Sequence, residues 1–259
     1  MDHLVIDTSA GSIGFVGRLW TDRPRPALLV VAGAFPDPGQ HHEIVDWFPQ
    51  STVLVANLPG MGGMPWSAAD APALSKGLGE AIGVVLGGRP LVLCGISASC
   101  LATLPLQAAN IRRKILIEPF LTTGGLWPFL AYGRHLLTLN PGHERLRAYL
   151  WTMFGFGETT AESRDYRHLA EAIDVPTDVV VGGMPLAPER TEPYFPSLAS
   201  VADRAIFAAH PKVTLHEGPP AAGHDVWIDP QTSALIRRLM GDSLKSLVAD
   251  PLVAASPTA

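Results

Sequence analysis

The sequence of 259 residues has few charged side chains and only two cysteines. Charged residues make up 17% of the chain and the formal net charge is −5, so no basic surface and no nucleic-acid partner are expected. Cys94 would end a buried strand and Cys100 would begin a helix, which predicts two reduced, packed thiols and not a disulfide. An apolar content of 47% then favours a compact globular enzyme.

Long apolar runs are also missing. No segment approaches the roughly 18 apolar residues that a membrane span requires. Residues 1–7 lack both the basic and the apolar region of a signal peptide. We therefore expect a cytoplasmic protein without a membrane span, and the oligomeric state stays open.

Short apolar segments alternate with segments of helical spacing along most of the chain. The predicted strands are residues 4–8, 13–19, 27–32, 53–56, 91–94, 114–118, 177–182 and 213–217, and the predicted helices are 69–86, 100 to about 108, and 225–248. This alternation predicts an α/β fold with a mostly parallel sheet flanked by helices.

The stretch between the strands at 114–118 and 177–182 is too long for a simple connection. Helical spacing recurs within it at residues 127–139, 144–154 and 161–173. We interpret residues 119–176 as a helical insertion over the carboxyl edge of the sheet. Residues 1–118 and 177–249 would form the core domain, and residues 250–259 a flexible tail.

Residues 95–99 read GISAS and follow the apolar run 91–94. A strand that turns sharply into a helix strains its central residue, and small neighbours leave room for that turn. The turn pushes the Ser97 hydroxyl clear of the sheet, in front of a helix N-terminus. The pattern therefore predicts a serine nucleophile at Ser97, with Ser99 at a position where the usual signature has glycine.

Three other motifs accompany this turn in a fixed order: AGAFP at 32–36, NLPGMG at 57–62 and AGHD at 222–225. With GISAS, they resemble the loop after the third strand, the Pro-Gly turn, the nucleophile elbow and the histidine loop of the α/β-hydrolase superfamily. The resemblance covers nearly the whole chain, although alanine at position 32 replaces the family's histidine. It implies the α/β-hydrolase fold, with a helical cap inserted after the sixth strand, and no cofactor.

The resemblance implies roles for several residues. His224 would be the base that takes the proton of Ser97. The backbone N–H groups of Ala98 and Ala34, with Phe35 as the neighbouring alternative, would form the oxyanion hole. No metal is predicted, because the adjacent pair His41 and His42 would point in different directions at a helix start.

The acid departs from the family's pattern. No carboxylate stands at the expected spacing after the glycine that ends the next-to-last predicted strand, Gly182. Glu118, at the end of the strand after the elbow helix, is the first alternative, because some branches of the superfamily take their acid there. Glu189 is the second, and a serine–histidine dyad without an acid is the third.

Aromatic residues cluster in and near the insertion, and its inner face would set specificity. The expected pocket residues are Phe35, Phe120, Trp127, Phe129, Trp151 and Phe154. The resulting hypothesis is a hydrolase of carboxylic esters or thioesters that acts on a small, largely apolar molecule through an acyl-enzyme. Acyl transfer, carbon–carbon hydrolysis, cyanohydrin-type lyase chemistry and a non-catalytic binder on the same scaffold are the alternatives.

Overall fold

The computed structural model describes residues 1–20, 25–35, 39, 41–186 and 195–249. Eight strands form one sheet in the order β1-β2-β4-β3-β5-β6-β7-β8. The strands are β1 (Asp2–Thr8), β2 (Gly11–Arg18), β3 (Ala27–Val31), β4 (Thr52–Asn57), β5 (Leu91–Ile96), β6 (Ile111–Ile117), β7 (Thr177–Val181) and β8 (Val213–Glu217). The β1–β2 and β2–β4 pairs are antiparallel and all other pairs are parallel, which confirms the predicted class of fold.

Seven α-helices accompany these strands within the described residues. They are α1 (Glu43–Trp47), α2 (Ala71–Leu86), α3 (Cys100–Thr103), α4 (Trp127–Leu139), α5 (Glu144–Phe154), α6 (Val201–Ala209) and α7 (Pro230–Ala249). None of these helices is long and apolar enough to cross a membrane. The predicted helices at 127–139 and 144–154 have the predicted bounds, and both lie between β6 and β7 in the chain.

Apolar side chains fill both faces of the sheet, which explains why the inner strands are apolar at successive positions. One cluster joins Leu29 and Leu93 of the sheet to side chains of α2 to α6. The other joins Leu28 and Val92 to α1 and α7 on the opposite face. Cys94 and Cys100 are buried and free, as predicted.

Three helix predictions need correction. The helix after the elbow ends at Thr103 and not near 108, because Pro105 has no N–H to donate to the carbonyl oxygen of Leu101. The predicted helix at 161–173 is a 3₁₀ turn, Arg167–Ala172, preceded by isolated bridges at Ala161 and Asp165. The Asp165 carboxylate accepts the Arg167 N–H, which favours a turn over a continued helix.

The last helix begins at Pro230 and not at 225. The Asp229 carboxylate accepts the Thr232 N–H at 2.7 Å, and proline suits the first position of a helix because its missing N–H would be unpaired there. Helix α6 was not predicted. Ser200 and Asp203 form a capping box at its start.

Candidate active site

The turn at Ser97 has the strained backbone that the sequence predicted, although its hydroxyl is buried and not accessible. Strand β5 ends at Ile96, and Ser97 has a φ of 55°, in the left-handed region that side chains rarely adopt. A Cβ on Gly95 would lie 2.2 Å from the Thr103 Oγ1, so this position requires glycine. The Ser97 Oγ is buried and has no hydrogen-bond partner among the described residues.

Ser99 occupies the position where glycine was expected, and its hydroxyl is fully buried. It donates to the carbonyl oxygen of Val31 at 2.7 Å and accepts the N–H of Ile96 at 2.8 Å. The serine therefore braces the turn against β3, a function that glycine could not provide.

The loop after β3 approaches the turn closely. A Cβ on Gly33 would lie 3.2 Å from the Cβ of Ser97 and 3.2 Å from the carbonyl oxygen of Ile96. Ala34 and Phe35 follow at once, and Phe35 has a φ of 58°. Ala98 is buried in the 3₁₀ turn that begins at Ser97. The segments predicted to supply the oxyanion donors thus flank the serine.

Glu118 and His224 meet at the end of β6. The Nδ1 of His224 lies 3.2 Å from the Oε2 of Glu118, across 106 positions of sequence. Glu118 is 1% exposed and has a φ of 56°. Its carboxylate accepts two further hydrogen bonds, from the N–H of Gly182 to Oε1 and from the N–H of Leu198 to Oε2 at 2.8 Å. The alternative acid, Glu189, lies outside the described residues.

Glycines allow the three loops around Glu118 to pack against one another. A Cβ on Gly182 would lie 2.2 Å from the carbonyl oxygen of Gly223, and a Cβ on Gly223 would lie 1.7 Å from that of Phe195. The N–H of His224 also bonds the carbonyl oxygen of Phe195 at 3.2 Å. Sequence reasoning missed Leu198 as a donor. The glycine pair at 182 and 183, with Gly223, was the available signal for close backbone contact.

Aromatic rings connect His224 to the loop after β3. The ring of Phe129 lies 5.9 Å from that of His224, 6.4 Å from that of Phe35 and 5.8 Å from that of Phe154. Phe195, which is 38% exposed, covers His224 from another side at 5.5 Å. The region next to the imidazole is therefore apolar and contains residues of the insertion.

Tyr149 of α5 joins the same cluster through Phe35, with ring centroids 6.3 Å apart. Burial raises the pKa of Tyr149, and its hydroxyl has no hydrogen-bond partner among the described residues. Sequence reasoning did not select it, because a tyrosine at helical spacing is indistinguishable from an ordinary core residue.

The remaining predicted pocket residues occupy different surroundings. Phe120 is fully buried beside Phe154, with centroids 6.1 Å apart. Trp127 lines a cavity of about 220 Å³ together with Phe156. Trp151 is 39% exposed, and the guanidinium of Arg164 lies 5.0 Å from its ring centroid. No group of three metal-ligating side chains occurs among the described residues.

No protein-family model and no curated protein matches the sequence. Solved structures do match. A thermophilic esterase from Thermogutta terrifontis is 17% identical with a TM-score of 0.60, over 95% of this chain and 99% of the esterase. An enol-lactonase from Burkholderia xenovorans is 16% identical with a TM-score of 0.65, over 93% and 100% of the two chains. The protein has the α/β-hydrolase fold.

A carboxylesterase from Bacillus subtilis shares this fold at 11% identity and a TM-score of 0.60, over 92% of this chain and 90% of the carboxylesterase. In an α/β-hydrolase fold, ligands bind outside the carboxyl ends of the parallel strands. Ser97 follows β5, Glu118 follows β6 and His224 follows β8, so all three lie at that edge of the sheet.

Proposed function

We propose that the protein is a serine hydrolase that cleaves carboxylic esters or thioesters of largely apolar substrates through an acyl-enzyme. The observation that carries the proposal is the hydrogen bond between His224 and Glu118 at 3.2 Å, formed at the sheet edge where Ser97 follows the neighbouring strand β5. A carboxylate that holds one ring nitrogen fixes the tautomer and leaves the other nitrogen available as a base.

In this mechanism Nδ1 of His224 carries the proton shared with Glu118, and Nε2 accepts the proton of Ser97 as the serine oxygen attacks the substrate carbonyl. This step requires Nε2 to come within hydrogen-bond reach of Oγ in the substrate complex, a contact that often tightens only when substrate binds. The N–H groups of Ala98 and Ala34, with Phe35 as the alternative to Ala34, stabilise the negative oxygen of the tetrahedral intermediate.

Collapse of that intermediate breaks the acyl–oxygen or acyl–sulfur bond, and His224 returns its proton to the departing alcohol or thiol. Water then attacks the acyl group on Ser97, with His224 accepting a proton from the water. A second collapse releases the carboxylic acid and restores the serine hydroxyl. No metal or cofactor enters these steps.

We assign residues 119–176 as a cap over this edge. Phe129 of α4 contacts the ring of His224 and Phe154 of α5 contacts the ring of Phe35, which supports an apolar acyl or alcohol site beneath the insertion. Names among the structural neighbours, an esterase and an enol-lactonase, agree with ester chemistry.

Labelling with a fluorophosphonate probe tests the nucleophile. The wild type should be labelled at Ser97, and Ser97→Ala and His224→Gln should not be labelled. His216→Gln is the matched control, because His216 also bonds a buried carboxylate, Asp178, at 2.9 Å but belongs to β8 and not to the histidine loop. Absence of labelling in a folded wild type would favour a binding protein.

A screen of short-chain p-nitrophenyl esters and thioesters then separates hydrolysis from the other chemistries of this fold. An acyl-enzyme that is hydrolysed more slowly than it forms should release p-nitrophenol from the esters in a burst of about one equivalent per chain. A labelled protein that hydrolyses none of these compounds would indicate acyl transfer, carbon–carbon hydrolysis or lyase chemistry.

A further inference from the structure

Arg204 of α6 is a buried cation whose guanidinium has three acceptors. Its Nη2 donates to the carbonyl oxygen of Gly182 at 2.6 Å, and its Nε donates to that of Ala199 at 3.2 Å. Its Nη1 pairs with the carboxylate of Glu217 at 3.1 Å. The residue is 7% exposed, so these bonds replace almost all of its contact with water.

The same two segments that bind Arg204 also bind Glu118. Gly182 gives its N–H to Glu118 and its carbonyl oxygen to Arg204. Leu198 gives its N–H to Glu118, and the carbonyl oxygen of the next residue, Ala199, accepts from Arg204. The arginine thus ties together two segments of the connection between β7 and α6, and these two segments together hold the carboxylate.

We propose that Arg204 is a positioning residue for Glu118, and through it for His224. Its catalytic consequence rests on the proposed function. A planar guanidinium can bond two carbonyl oxygens and a carboxylate in fixed directions, whereas a lysine ammonium cannot reproduce that arrangement of three bonds. When these bonds are lost, the segments at 182 and 198 are held by fewer contacts, among them the bond from the Ser197 N–H to the carbonyl oxygen of Met184 at 2.9 Å, and can shift relative to one another. The Glu118 carboxylate then loses its fixed donors and no longer directs the His224 ring.

This role also explains the missing carboxylate after β7. The residue at the end of that strand, Gly182, contributes an N–H donor to a carboxylate that arrives from β6. Because Glu118 comes from the neighbouring strand, its donors must be gathered from separate segments. Arg204 adds side-chain bonds to the backbone bonds that connect these segments, such as Ser197 N–H to Met184 at 2.9 Å.

Kinetics of Arg204→Lys test the proposal. We expect kcat to fall about 10- to 100-fold with KM within about threefold, since the variant changes the orientation of the acid and not the substrate contacts. Arg113→Lys is the matched control. Arg113 also bonds a buried carboxylate, Asp178 at 2.9 Å, and should keep kcat within about threefold.

The decisive kinetic comparison uses Glu118→Gln as a background. Because Arg204 acts through Glu118, Arg204→Lys should lower kcat by less than about twofold in that background. Equal losses in both backgrounds would mean a merely structural role and would overturn the proposal. A wild-type kcat in Arg204→Lys would overturn it as well.

Proton NMR of the ring N–H of His224 gives a readout that does not need activity. An imidazole N–H that donates to a carboxylate resonates far downfield, and His224→Gln identifies the signal. We expect this signal to disappear or shift strongly in Arg204→Lys and to persist in Arg113→Lys. An unchanged signal in Arg204→Lys overturns the proposal. If the wild type lacks esterase activity, the proposed function is refuted. The NMR comparison still tests whether Arg204 positions Glu118 and His224.

Glu217→Gln provides the second variant if Arg204→Lys fails to fold. It weakens one of the three bonds of Arg204 at a carboxylate that is 55% exposed. We expect kcat to fall about two- to fivefold in the wild-type background, with no further loss in Glu118→Gln. A loss of the same size in both backgrounds would overturn the proposal here too.

Discussion

The residues that follow the neighbouring strands β5 and β6 both have a positive φ, but their side chains differ in hydrogen bonding. Ser97 after β5 has a φ of 55°, and Glu118 after β6 has a φ of 56°. The serine hydroxyl has no hydrogen-bond partner among the described residues, whereas the carboxylate accepts two backbone N–H groups and contacts His224. The group proposed to react is thus left unpaired among the described residues, and the group proposed to orient His224 is fixed from several sides.

Backbone of this kind costs on the order of 1–3 kcal/mol at each residue and persists only when the surroundings impose it. The surroundings differ between the two strand ends. At Ser97 they are a glycine at position 95 and the brace from Ser99 to β3. At Glu118 they are hydrogen bonds to the side chain itself. Variants at the Ser97 turn should therefore behave differently from variants that remove the side chain of Glu118.

The largest expected effect is on turnover by Glu118→Gln. An amide cannot accept all the hydrogen bonds of the carboxylate and no longer fixes the tautomer of His224, so kcat should fall about 10³- to 10⁴-fold in ester hydrolysis. Asp178→Asn is the control, since Asp178 is a buried carboxylate bonded to His216 and Arg113. A Glu118→Gln enzyme within tenfold of the wild type would refute the role of Glu118.

Glycine at the two strand ends should change stability in opposite directions. Ser97→Gly relieves the left-handed strain and removes no hydrogen bond, and should raise the free energy of unfolding by about 1 kcal/mol. Glu118→Gly relieves similar strain but leaves the N–H groups of Gly182 and Leu198 buried without acceptors, and should lower it by about 3 kcal/mol. Denaturant unfolding of both variants measures the difference, and shifts of the same sign would contradict the comparison.

A further variant addresses the middle of β6, where Lys114 pairs in register with Leu93 of β5. Burial lowers the pKa of Lys114 to about 8, although its ammonium donates to the carbonyl oxygen of Leu104 at 2.7 Å. The charged form therefore destabilises the folded state below pH 8. This penalty fades between pH 8 and 10.5, as the folded protein loses a proton that the unfolded chain keeps.

Relative to Lys114→Met, the wild type should gain up to about 3 kcal/mol of unfolding free energy over that pH interval. Denaturant unfolding at pH 7, 8, 9 and 10 measures the gain. If the unfolding free energies of the two proteins change with pH in parallel, Lys114 does not titrate in this pH interval.

A small effect, on stability and hardly on turnover, is expected at Ser99. Ser99→Gly restores the glycine usual for the elbow but removes the hydrogen bonds to Val31 and Ile96, and should cost about 1–2 kcal/mol of stability with kcat within a few fold. Ser99→Ala loses the same bonds without the flexibility of glycine and should cost less. Thermal melts of the wild type and both variants provide the test. A Ser99→Gly variant more stable than the wild type would show that the Ser99 hydrogen bonds do not stabilise the turn.

Short stretches of sequence predicted those elements whose structure depends mainly on neighbouring residues. The apolar strands, helices α4 and α5, and the turn at Ser97 all follow from short windows of sequence. The donors of Glu118 could not be predicted in this way, since they lie 64 and 80 positions away and are backbone groups common to almost every residue. The predicted helix at 161–173 was wrong because the side chain of Asp165 captures a backbone N–H that helical spacing does not reveal.

The bond from Ser99 to Val31 has a consequence for motion within the site. Val31 ends β3, and this strand leads directly into Gly33 and Ala34. The serine turn and the loop after β3 are therefore both attached to the end of β3. A ligand that displaces one of them carries the other along. The distance between the Ser97 hydroxyl and that loop should therefore be preserved even where the proposed cap, residues 119–176, moves.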